Sequence, residues 1–243
     1  VRPFNPDDPE AWINKIKGKH KIVFDATQPH GIYPFAWPRV FLMTNEATGA
    51  LEKDCCAVIV LRHTAIPYAF EHQLWEKYKF GEVFKAMDPA TNKPSLRNPF
   101  WKPASGAFSV PGIGEVKIGL NELQASGVLV CVCSAAITVF SNTVAKELNK
   151  NPEEITREWM SGLIPGIQPV PSGVWALGRA QDVIALADQV NAITTSIEEI
   201  HYWRGRALAT LGDTAGAAQS IQQALVLNPT FAPAQQAAAE LNS

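Results

Sequence analysis

Strong charge is the first thing missing from this sequence. Only 18% of the 243 residues are charged, and 21 basic against 23 acidic side chains leave a net charge of −2. So near neutrality the chain has no electrostatic footprint for nucleic acid or an anionic membrane surface, and neither is expected as a partner. Long hydrophobic runs are missing too. The longest stretch, Val128 to Phe140, is broken by Cys131, Cys133, Ser134 and Thr138, so nothing reaches the ~20 apolar residues that cross a bilayer. Cysteine is scarce: Cys55, Cys56, Cys131 and Cys133 are too few to staple a chain of this length. A vicinal pair and a C-x-C also depart from the spacing of zinc ligands, and the five histidines form no H-E-x-x-H, so no metal is expected. Gly112-Ile-Gly114 opens like a dinucleotide fingerprint, but Lys117 stands at the third glycine and a Pro-rich loop precedes it. No cofactor is implied.

What is present is apolar material, 47% of the chain, enough for a sizeable core and too much for wholesale disorder. The chain opens at Val1 with no basic, apolar leader ahead of it. That suits an exported protein whose leader is removed, with a cytoplasmic one as the alternative.

Residues 1–17 are polar and Pro-containing, with a short amphipathic piece at Trp12, Ile13 and Ile16, and read as an arm. From residue 18 strands and helices alternate. Lys21 to Ala26 is an apolar run ending in the loop Thr27-Gln-Pro-His-Gly31, and a helix comes next from Phe35 to Glu46, with Pro38 near its start. Cys55 to Leu61 is apolar without alternation, which marks a strand covered on both faces, hence a parallel sheet. Glu71 to Phe84 has helical spacing, whereas Asp88 to Pro111 is too Pro-rich for regular structure. A helical turn at Asn121–Ser126, the strand Val128–Cys133 and a helix through Ala136, Phe140, Val144 and Leu148 come next. Asn151-Pro-Glu-Glu opens another helix, and Gly166 to Gly173 is an extended piece feeding a helix from Val174. The fold class expected for residues 18–186 is therefore α/β, a doubly wound, mostly parallel sheet of about five strands. Trp37, Trp75, Trp159 and Trp175 sit at helical positions and are expected in its core. Residues 187–243 read as helix only: Glu198–Leu211, Thr214–Leu227 and Phe231–Leu241.

That tail resembles one tetratricopeptide repeat over about 32 residues. The family spacing appears as His201-x₂-Arg204-Gly205-x₂-Leu208, then Ala217-x₃-Ile221, then Pro229, with His201 and Arg204 departing from the usual residues. The α/β part resembles the DsrE-like sulfur-relay fold, and more narrowly its exported bacterial members. Gly18-Lys-His-Lys-Ile-Val-Phe-Asp25, Gly127-Val-Leu-Val-Cys-Val-Cys133 and the stretch from Leu163-Ile-Pro-Gly166 through Val170-Pro-Ser-Gly173 to Gln181 carry the likeness. In sulfur-relay members a cysteine after the fourth strand accepts sulfane sulfur. The resemblance puts Cys133 in that place, although Ser134-Ala-Ala-Ile comes after it and no Lys or Arg lies in the next ten residues.

Three functions compete. The first is a non-catalytic assembly protein whose tail and arm bind further copies of the chain into a homo-oligomer, open-ended rather than dimeric, such as an extracellular filament. One repeat and a fraction cannot bury its own apolar faces. On this reading Ile200, Trp203, Tyr202 and Leu208 of the first tail helix, Ile221 and Leu225 of the second, and Phe231 at the third form the contact surface. The second is a sulfur carrier or sulfurtransferase with Cys133 as the nucleophile. The third is a small-ligand module in which Thr27, His30, Arg62, His63 and Ser172 line one crevice beyond the strand ends.

Overall fold

The computed structural model describes residues 9–194, 201, 202, 206, 209 and 214–241. The chain divides into two compact units, residues 1–184 and 185–243. The first is built on a parallel sheet of four strands, β1 (His20–Ala26), β2 (Cys55–Leu61), β5 (Leu129–Cys133) and β6 (Gln168–Val170), in the order β1-β2-β5-β6. Val23 pairs with Val58, Val60 with Cys131, and Cys133 with Val170. The strands β3 (Ser109–Val110) and β4 (Gly114–Glu115) form a separate antiparallel hairpin around Gly112. This hairpin is where the G-x-G residues lie, so no helix opens there for a dinucleotide.

About five strands were expected, and four are found among the described residues. Their order follows the chain, so the sheet winds in one direction. Right-handed crossovers then place every connecting helix on the same face. On that face lie α2 (Tyr33–Ala47), α3 (His72–Tyr78), α4 (Phe80–Val83), α5 (Leu120–Ala125), α6 (Ser134–Glu147) and α7 (Pro152–Ser161). They pack Phe35, Trp75, Phe80, Leu120, Ile137 and Trp159 against Ala57, Ile59, Leu61, Val130 and Val132. The other face is left to the ends of the unit: α1 (Pro9–Ile13) and α8 (Gly173–Thr194). Trp12, Ile13, Ile16, Ala176 and Ala180 cover Cys56, Val58, Val60, Cys131 and Val170, and Glu10 pairs with Arg179 at 2.7 Å. Within the described part of the expected arm, Trp12, Ile13 and Ile16 are therefore core. Its short amphipathic piece is what closes the second apolar layer, while residues 1–8 lie outside the described residues.

Local details depart from expectation for steric reasons. Pro38 sits inside α2 rather than at its start. Pro34 occupies the first turn, and Ala36 N–H already bonds Ile32 C=O at 2.8 Å, so Pro38 removes a single later bond. The helix expected from Glu71 to Phe84 breaks at Lys79, which is left-handed at φ 50°. The break turns Phe80 into the core, where Gly81 passes so close to Ser95 that a Cβ would lie 2.2 Å from its carbonyl oxygen. Asn98, fully buried, anchors the Pro-rich excursion: its Nδ2 donates to the Tyr68 and Phe70 carbonyls, and its Oδ1 accepts from Phe100 N–H. Trp75 and Trp159 are core and Trp175 is partly buried, but Trp37 is 47% exposed on the solvent side of α2.

In the second unit helices Thr214–Leu227 and Ala232–Leu241 pack through Ile221, Ala224, Ala234 and Ala237, with Tyr202, Leu225 and Phe231 against them. Most of the helix expected at Glu198–Leu211 lies outside the described residues, although His201, Tyr202, Arg206 and Ala209 are helical. Among the described residues no helix is long and apolar enough to cross a membrane.

Candidate functional site

Parallel strands end together, so the sheet's carboxyl edge gathers the first loop residues beyond every strand. Thr27 and His30 come after β1, Arg62 and His63 after β2, Cys133 closes β5, and Ser172 comes after β6. The edge does not gather them all round the hollow that Thr27 and His30 border, whose lining includes none of Arg62, His63 and Ser172. Because the strand order never reverses, it lacks the gap between oppositely wound halves where such sheets hold ligands.

The centre is a charge-paired knot. Arg62 donates from Nε to Asp25 Oδ1 at 2.7 Å and from Nη2 to Oδ2 at 2.6 Å. The Asp25 hydrogen bonds push the guanidinium further above its ordinary value, so its charge is permanent. The Arg62 stem crosses the start of α8, where a Cβ on Gly173 would lie 2.6 Å from Arg62 Cβ. Cys133 belongs to the same neighbourhood and is among the groups acting on the Arg62 charge. Its Sγ caps α6 by accepting from Ala136 N–H at 3.3 Å, and the residue is 7% exposed. A helix N-terminus and a guanidinium are the neighbours that thiolate chemistry uses. The basic residue missing from the local sequence thus comes from the adjacent strand. Beside it, the Ser134 hydroxyl is buried and has no hydrogen-bond partner among the described residues. Burial pushes the Cys131 thiol strongly upward, and burial likewise raises Cys56 and Cys55.

The remaining residues have other employment. Ser172 is the cap of α8, its Oγ accepting from Trp175 N–H at 3.2 Å and its carbonyl from Ala176 N–H. The Thr27 carbonyl accepts from both Thr64 N–H and Thr64 Oγ1, which ties the ends of β1 and β2 together. His63, exposed and left-handed at φ 49°, sets its ring edge-on to Phe140 at 5.8 Å.

Thr27 and His30 line a different feature, a hollow of about 180 Å³ with Phe24, Asp25, Tyr33, Pro34 and Trp37. It lies where α2 starts over the outer side of β1. His30 stands edge-on to Tyr33 at 5.3 Å, and Tyr33 stacks on Trp37 at 5.3 Å. Tyr33 is 42% exposed, so this aromatic row faces solvent. Asp25 borders both the hollow and the Arg62 knot. Reading the sequence missed Asp25, Tyr33 and Trp37. The i, i+4 spacing of the two aromatics was visible, but not the fact that their helix lies at the sheet's open edge.

Of the tail residues expected to form a contact surface, Ile221 is buried in the tail's own core. Tyr202 sets its ring edge-on to Phe231 at 5.6 Å, and Leu225 packs on the same cluster. Ile200, Trp203 and Leu208 lie outside the described residues. Among the described residues no group of His, Cys, Asp and Glu could hold a metal ion. No protein-family model, curated protein or solved structure matches the chain.

Proposed function

We propose that this chain is a self-associating assembly protein. The observation that carries the reading is the free side of β1. Among the described residues this seven-residue strand has a neighbour only at β2, and the exposed Tyr33–Trp37 stack lies beside it. A long unpaired edge next to exposed aromatics is a template for further pairing, which folded proteins leave open only at some hazard. The helical tail, with its likeness to a tetratricopeptide repeat, supplies a second surface on which Val226 is 64% exposed. Two distinct surfaces on one chain are what an open-ended assembly requires. Light scattering over a hundredfold range of concentration tests the reading. A mass that rises above that of one chain supports it, and a constant single-chain mass refutes it.

A second reading has its own support, the Cys133 Sγ at the N-terminus of α6 beside Arg62. In it the chain is a sulfur carrier in the manner of the DsrE-like proteins it resembles. Intact-mass measurement after incubation with a sulfane donor tests this reading. It requires one added sulfur that Cys133→Ser abolishes and Cys131→Ser does not.

A further inference from the structure

The open edge of β1 has a register of its own. Arg62 N–H donates to the Ala26 carbonyl at 2.9 Å, so Ala26 turns its main-chain groups toward β2. Alternation along a strand then turns Phe24 and Ile22 the same way and aims the N–H and C=O groups of Lys21, Val23 and Asp25 outward. Among the described residues nothing pairs with that row. The strand reads His20-Lys-Ile-Val-Phe-Asp-Ala26, and about Val23 it is complementary to its own reverse. Lys21 answers Asp25, Ile22 answers Phe24, and Val23 answers itself.

We propose that β1 pairs with β1 of a second copy, antiparallel and two-fold symmetric about Val23, joining two four-stranded sheets into one of eight strands. This rests on the self-association reading above and names its geometry. Three features agree on the register. The outward-facing residues Lys21, Val23 and Asp25 fall opposite Asp25, Val23 and Lys21 of the copy, the arrangement in which antiparallel residues exchange both main-chain hydrogen bonds. Directly opposed side chains share a face, so each Lys21 meets an Asp25 of the copy, twice over, on the face that also carries Arg62. On the other face His20 of the copy falls opposite Ala26, at the hollow walled by Phe24, Tyr33 and Trp37. A partner strand of unrelated sequence would satisfy the first feature but not the other two.

The far edge makes this pairing closed. β6 has three residues, and Pro169 among them offers no N–H. A short strand with proline blunts an edge against pairing. The sheet therefore extends at β1 alone and stops at two copies, and any longer assembly has to use the tail.

Three forms of the full chain test the proposal by sedimentation equilibrium: wild type, Lys21→Asp and Lys21→Arg. Lys21→Asp turns both charge pairs repulsive at a surface position and is expected to weaken the dimer at least about tenfold, while Lys21→Arg preserves it. Val23→Pro is the backbone counterpart. The Val23 N–H faces outward, so proline removes no bond to β2, and circular dichroism confirms that the variant is folded before its loss of dimer is scored. Carbodiimide cross-linking of a mixture of ¹⁴N and ¹⁵N chains is expected to join Lys21 of one copy to Asp25 of the other. A monomeric wild type would overturn both the pairing and the self-association reading. An oligomer indifferent to Lys21→Asp and lacking the cross-link would overturn the pairing alone and return the interface to the tail.

Discussion

Arg62 and Asp25 stand 37 residues apart in sequence, yet each uses two atoms to hold the other at the carboxyl ends of adjacent strands. Asp25 is the one acid in β1, on the half-exposed edge strand, and its partner fixes which way the carboxylate points. With both side chains about a third exposed, solvent screens the pair. Asp25→Asn is therefore expected to cost about 1 kcal/mol of stability in low salt and less in high salt, measured by urea unfolding. A loss of several kcal/mol would mean that the pair is shielded far more than its exposure indicates.

Asn98 is a stronger anchor. Fully buried, it satisfies two carbonyls and one N–H at the base of the Pro-rich excursion. Asn98→Ala leaves all three main-chain groups without that partner. It is expected to destabilise the chain by about 3 kcal/mol or more. Asn98→Asp, which keeps the acceptor but loses both donated bonds, should be no better. Thermal unfolding of the two variants checks this.

Close packing at Gly81 predicts an asymmetry between glycines. A Cβ at Gly81 would meet the Ser95 carbonyl oxygen at 2.2 Å and nitrogen at 2.4 Å, both main-chain atoms, whereas Gly127 has nothing within 4 Å but is left-handed at φ 77°. Gly81→Ala must displace a loop and is expected to cost about 3 kcal/mol, read from urea unfolding. Gly127→Ala carries only the conformational penalty, about 1 kcal/mol, and Gly127→Asn less. Similar losses at the two sites would contradict the packing around α4.

Legibility in the sequence differs from element to element. Cys55–Leu61 was legible because a strand covered on both faces has to be apolar at every position, and Thr214–Leu227 because its small and apolar residues recur with the helical period. The sheet's order was not legible, since it depends on which strands pair across long connections. With it went the fact that β1 is an edge, and therefore the exposure of Trp37. The break falls at a lysine, with Gly81 two residues on, and goes with the burial of Phe80, which the sequence does not announce. Cys133 was correctly placed at a strand's exit by its run of neighbours. Arg62 lies just beyond another strand, so it was named for a ligand crevice and not as a neighbour of Cys133, which only the pairing of the two strands makes it.

Acid should loosen one corner of the fold, the ion pair that joins α7 to α3. Burial tends to raise the Glu158 carboxyl, but hydrogen bonds from Lys77 and from Tyr78 at 2.7 Å outweigh it and hold the group below its ordinary value of 4.5. Burial and the same carboxylate push the Tyr78 hydroxyl well above its usual range, so tyrosine remains the donor at every pH of interest. A carboxyl depressed in the folded state binds its proton more readily when unfolded. The stability it confers is therefore whole above about pH 4.5 and is lost as pH falls through the lower folded value. The aromatic cluster of Tyr78, Phe80 and Trp159 lies beneath Glu158, so the loss is felt where the two helices meet. Wild type and Glu158→Gln are expected to differ most in unfolding free energy near neutrality and to converge as pH falls below about 4.5, with the variant showing the flatter dependence. Parallel curves below that pH would show that Glu158 is not held ionised by Lys77 and Tyr78.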